Sequence, residues 1–362
     1  MRSMRFLIVL PIFWVSLSAS SADTLKQVHV VFRHGGRNPD ESSLTPDCPY
    51  KNESYYPEGY GQLTNQGKLT EYNIGVRLRK RYDSFLTDTW NINYIEARTT
   101  DTNRTKQSLE LVLAGLYPPV GTQKWGTLAW QPIPYNYYPV AQEKELLFWG
   151  ACSNYWTQIN EVLETPAIVE YGKRYTELLN VLTEKTGSEA TLLSPFNYYF
   201  GFLVLEQLGF PLESWVDDIY PEPIHSAAVD YYYLITNTTS LKQIAGGFLI
   251  RKILEDAEAL INGTLSPANR KLFLYSGHEM NVATLLLTLG AYHVTDIPAY
   301  GSHVIVEVHK IDGIWGIKLF FENYESSEPI AIRIPNCGYF CSVSSMSKAL
   351  RDIIPEDIAC AS

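Results

Sequence analysis

Three things are missing from this sequence, and each absence removes a class of function. There is no excess of positive charge: 29 Lys and Arg stand against 39 Asp and Glu, a formal charge of −10 over 362 residues. Such a chain repels extended polyanions at long range, which argues against nucleic acid as a partner and leaves small phosphorylated solutes acceptable. Past the amino terminus there is no run approaching the ~20 apolar residues that a membrane span requires, so no membrane anchor is expected. The 5 Cys and 7 His show neither paired CxxC spacing nor a histidine cluster. Cys337-Gly-Tyr-Phe-Cys341 alone is half a metal site at best, and no metal or other cofactor is expected.

What is present begins with an export signal. Met1 to Ala22 carries Arg2 and Arg5, then the apolar run FLIVLPIFWVSL, then small residues. That order reads as a secretory signal peptide and predicts a secreted, extracellular protein. Its removal leaves about 340 residues, enough for a large core, and takes the formal charge from −10 to −12 by loss of two arginines. All five cysteines, Cys48, Cys152, Cys337, Cys341 and Cys360, lie in the exported part, so disulfides are expected, with one thiol left over. Sequons at Asn52, Asn103, Asn237 and Asn262 suit a glycoprotein.

The chemistry starts at QVHVVFRHGGRNP, Gln27 to Pro39. The first half is short, apolar and β-branched and predicts a buried strand. Arg33, His34 and Arg37 then crowd together around Gly35 and Gly36. Guanidiniums carry a fixed charge and a planar fork that matches phosphate oxygens, and glycines let backbone approach a ligand. An imidazole between them is placed to attack a captured phosphoryl group at a strand's carboxyl end.

Two later blocks repeat the plan. A helix is predicted from about Asn65 to Tyr82, with Leu69, Tyr72 and Val76 at helical spacing, and a strand over 92–97 then delivers Arg98 ahead of a second helix. Further on, KLFLYS (271–276) predicts another buried strand that ends in Ser276-Gly277-His278-Glu279. Between them, 158–260 reads as mainly helical and broken by prolines. Two alternating runs around Asp312-Gly313 predict a hairpin.

RHGGRNP resembles the RHGxRxP signature of the histidine acid phosphatase branch of the histidine phosphatase superfamily. ARTTDTNRT…GLYPP and SGHE resemble its second and third blocks. The His278-Glu279 pair, where His-Asp is the more widespread form, matches the insect venom members. The resemblance implies an α/β fold, a mixed central sheet flanked by helices (phosphoglycerate mutase-like), with a mainly helical insertion. The catalytic part would be 23–134 plus 261–362 and the insertion 135–260. It implies His34 as nucleophile, Glu279 as proton donor, and Arg33, Arg37, Arg98 and His278 as phosphate ligands, with Arg104 structural. It also implies bridges Cys152–Cys360 and Cys337–Cys341 with Cys48 unpaired, and it allows a homodimer. The expected activity is hydrolysis of phosphate monoesters through a phosphohistidine. A narrow-specificity inositol-phosphate or phospholipid phosphatase, or a catalytically weak secreted binder of phosphorylated ligands, stays open at this stage.

Overall fold

The computed structural model describes residues 24–324 and 328–361; the expected leader, 1–22, lies outside them. Among the described residues seven strands form one sheet. β1 (Leu25–Arg33), β2 (Ile95–Thr99) and β3 (Leu272–Gly277) run parallel in the order β2-β3-β1. β4 (His303–Ile311) joins β1 antiparallel, followed by β5 (Ile314–Glu322) and β6 (Ile330–Ile332), while β7 (Cys341–Ser342) also pairs with β5. Asp312 and Gly313 close the β4–β5 hairpin with φ of 49° and 81°, the two positive angles that a tight primed turn demands.

Both faces of the sheet are covered, which is why its parallel strands read as continuous apolar runs. Alternation sends Val28, Val30, Phe32, Leu272 and Leu274 to one face. There they meet α1 (Asn65–Arg81) and α2 (Asn103–Leu116) through Ile74, Leu109 and Val112. Val31, Phe273 and Tyr275 point to the other face. The helices there include α3 (Ser153–Leu163), α4 (Thr176–Thr186), α5 (Ser194–Gln207), α6 (Ile224–Leu234), α7 (Phe248–Asn262) and α8 (Glu279–Thr288). The helical segment shares that core with the sheet, since Tyr155, Leu182, Phe200 and Tyr232 belong to the same cluster as Val31 and Tyr275.

One helix faces the other way from its sequence pattern. Leu69, Tyr72 and Val76 of α1 are exposed, and the buried side carries Gly67, Thr70, Glu71, Ile74, Gly75 and Leu78. Contact with α2 decides the orientation. Gly75 and Gly115 meet so closely that a Cβ on Gly75 would lie 2.1 Å from the Val112 carbonyl oxygen, and only a glycine face lets the two backbones approach like this.

Cys152 is bonded to Cys360, tying the start of α3 to the carboxyl-terminal turn, and Cys337 to Cys341. Cys48 is a free buried thiol packed with Leu44 and Leu205. Among the described residues no helix is long and apolar enough to cross a membrane.

Candidate active site

The parallel register brings the first and third blocks together. Arg33 pairs with Gly277 across β1 and β3, so the residues that follow each strand, His34 and His278, emerge side by side. Their ring centroids are 5.5 Å apart, and the His34 amide donates to the Gly277 carbonyl at 3.0 Å. The loop after β1 is then locked onto the start of α1. Thr64 caps that helix by accepting from the Gly67 amide, and its own amide donates to the Gly36 carbonyl at 3.0 Å. A Cβ on Gly35 would sit 2.4 Å from the Gly67 carbonyl oxygen. A side chain at that position would force the loop and the helix apart.

The hydrogen bonds of His34 fix its tautomer. Nδ1 lies 2.8 Å from the Gly35 carbonyl oxygen, which can only accept, so Nδ1 carries the proton and Nε2 keeps a lone pair. Arg104 Nε donates to that lone pair at 3.1 Å. Burial, then the positive charges of Arg104 and Arg33, hold the His34 pKa well below the usual histidine value. His278 is likewise held neutral by burial and by Arg104, Arg37 and Arg33. Its Nε2 meets the Thr100 hydroxyl at 3.2 Å, and its ring packs against Trp149. Two neutral imidazoles thus stand among three guanidiniums, an arrangement whose unmet electrostatic demand is for an anion.

Each guanidinium has its own support. Arg33, 2% exposed, lies over the Tyr300 ring at 3.9 Å, donates to the Pro298 carbonyl at 2.6 Å and pairs through Nε with Glu279 at 3.3 Å. Arg37 donates to the Asn38 carbonyl and pairs with Asp40 at 2.9 Å. Arg104 enters from the first turn of α2. Glu279 opens α8 and is almost fully buried. Beside Arg33 and Arg37 opens a cavity of ≈ 680 Å³, walled by Tyr199, Leu203, Tyr300 and Tyr324 with Asp296 at its edge.

The structure does not bring Arg98 to this cluster. Within β2 it is level with Tyr275, on the face covered by α3 to α8. There its Nη2 donates to both carboxylate oxygens of Glu143 at 2.9 Å each, and its Nη1 pairs with Glu145. Two carboxylates engage both ends of its fork, the geometry of a structural ion pair, with only the buried Nε left without a partner. Arg104, which the sequence pattern left as structural, stands against His34 instead. Its position was readable in principle, since the second residue of a helix that follows a strand end points back toward the loops at the strands' carboxyl ends. Tyr300, Trp149 and Asp40 had no signal in the sequence. The four sequon asparagines are all exposed, and Asn103 directly precedes Arg104.

Residues 24–322 match the model of the histidine phosphatase superfamily, branch 2. The venom acid phosphatase of Apis mellifera is 36% identical over 344 residues, covering 93% of this chain and 87% of that protein. The prostatic acid phosphatase of Bos taurus is 30% identical over 344 residues, covering 93% and 87%. The human lysosomal acid phosphatase is 28% identical over 352 residues, covering 95% and 81%. Among solved structures, the apo phytase of Hafnia alvei superposes with a TM-score of 0.67 at 18% identity, over 93% of this chain and 98% of that one.

Proposed function

Since the chain belongs to branch 2 of the histidine phosphatase superfamily and is a phosphoric monoester hydrolase of acid phosphatase type, we propose that it works through a covalent phosphohistidine on His34. The observation that carries this reading is the lone pair on His34 Nε2, held in a neutral ring among Arg33, Arg37 and Arg104. On substrate binding the Arg104 Nε–H moves from Nε2 to a phosphoryl oxygen, which frees the lone pair for in-line attack. The P–O bond to the leaving group breaks as the N–P bond forms. Arg33, Arg37, Arg104 and His278 share the equatorial oxygens and stabilise the charge of the transition state.

Glu279, in its protonated form, gives its proton to the departing oxygen and then takes one from the water that cleaves the phosphohistidine. Its pairing with Arg33 yields when the phosphoryl group claims that guanidinium. The arginines supply the positive charge that the transition state needs.

The wall of the cavity supports a compact, singly phosphorylated substrate over an inositol polyphosphate. Arg33 and Arg37 are the cations of its lining, both committed to the transferred group, and Asp296, which also lines it, is already paired with His225 at 2.8 Å. The leader at Met1–Ala22, the two bridges and the exposed sequons support export. Amino-terminal sequencing of protein recovered from culture medium tests it, and an intact leader on that protein would contradict it. For the mechanism, alkaline quenching with radiolabelled substrate should trap an acid-labile, base-stable phosphoenzyme in the wild type and none in His34→Ala. Labelling of that variant at the wild-type yield would refute the assignment.

A further inference from the structure

Asp40 is an acid of this site that the mechanism above leaves unused. It follows Pro39 at the end of the phosphate loop, and its carboxylate divides between two arginines. Oδ2 pairs with Arg37 Nη2 at 2.9 Å and Oδ1 with Arg104 Nη1 at 3.3 Å. Although it precedes the turn Glu41–Ser43, its side chain caps nothing there. Room for the contact comes from Gly61, whose φ is +66° and where a Cβ would lie 2.6 Å from Asp40 Oδ1. The Gly61 amide in turn donates to the Pro39 carbonyl at 2.9 Å. Arg104 is therefore stretched between two acceptors, His34 Nε2 and Asp40, at the position where a phosphoryl oxygen has to bind. With 35% of its side chain exposed, Asp40 is open to displacement from solvent.

We propose that Asp40 is a built-in competitor for the phosphate site, a carboxylate that holds Arg37 and Arg104 in the free enzyme and that the phosphoryl oxygens must displace. The inference rests on the reading that these two arginines hold the phosphoryl group. A dianion with three oxygens outcompetes one carboxylate for the same donors. Every anion nevertheless binds more weakly by whatever the two ion pairs contributed. The penalty falls on ground state and product alike, so it favours release of inorganic phosphate at the expense of affinity, a trade that suits turnover at high substrate concentration. The groups facing Asp40 are Arg37 on its own loop and Arg104 on α2, with His34, Glu279 and Tyr300 beyond Arg104.

Competitive inhibition by sulfate tests this, because sulfate keeps its double charge from acid to neutral pH. Asp40→Asn preserves shape and removes charge. It should tighten sulfate binding at neutral pH by about five- to tenfold, the worth of one or two partly exposed ion pairs. Asp40→Glu should restore weak binding. Arg104→Ala is the control and should weaken sulfate binding. If it does so while Asp40→Asn leaves binding unchanged or weaker, Asp40 merely positions the arginines and the inference fails with the site reading intact. Unchanged inhibition in Arg104→Ala would remove Arg104 from the site and the inference with it.

Discussion

Exchanging the roles of Arg98 and Arg104 predicts two variants with opposite phenotypes. Arg98 is 4% exposed and Glu143 is fully buried. Removing one partner of a buried pair strands the other charge, at a cost of about 3–5 kcal/mol. Here the Glu143 carboxylate keeps two long bonds from the amides of Glu145 and Leu146, 3.2 Å each. Glu145 is partly exposed and is readily rehydrated. The lower end applies, about 3 kcal/mol for Arg98→Ala. With an unfolding entropy of about 2.1 cal/mol/K per residue over about 340 residues, that lowers Tm by roughly 4 °C. Well below Tm, kcat/KM should change less than about threefold, since no donor to phosphate is lost. Arg104→Ala should do the reverse. It removes one of three preorganised guanidiniums, worth about 2–4 kcal/mol of transition-state stabilisation or roughly 30- to 1000-fold in kcat/KM, with little change in Tm. Thermal unfolding and steady-state kinetics on both proteins decide the matter. An Arg98→Ala protein with wild-type Tm and a collapsed kcat/KM would refute the reasoning.

Two other variants probe the buried carboxyls. Glu279→Gln keeps size and removes the acid, so it should slow alkyl phosphates far more than activated aryl phosphates, whose leaving oxygen needs little protonation; equal slowing on both would make Glu279 a positioning group. Glu71 of α1 is fully buried, neither of its oxygens meets a protein donor, and burial pushes its pKa well above the usual carboxyl range despite the opposing charge of Arg33. Because the folded pKa is raised, the stability linked to this proton is complete below the unfolded value of about 4.3 and is lost as pH rises toward the folded one. The Tm of Glu71→Gln relative to wild type should therefore climb between acid and neutral pH; an offset that does not vary with pH would mean that Glu71 titrates alike in both states.

Much of this protein was settled locally along the chain. Short apolar runs ending in RHGG and SGHE define β1 and β3 and put His34 and His278 just past strand ends. A parallel register can only leave such residues adjacent, so the heart of the site was legible. Asp312-Gly313 determined its hairpin for the same reason, since two positive φ angles restrict the residue types that fit. Where partners lie far apart in sequence, tertiary structure decided. Arg98 and Arg104 are six residues apart and look interchangeable in the sequence. Their surroundings were set by Glu143 and Glu145, more than 40 positions on, which pair with one, and by the turn of α2, which aims the other at His34. The apolar spacing of Leu69, Tyr72 and Val76 marked a helix correctly. Which side it buried was decided by a glycine contact between α1 and α2. Local propensity selects an element and its ends, whereas the direction of each charged side chain depends on which countercharge the completed fold brings within reach.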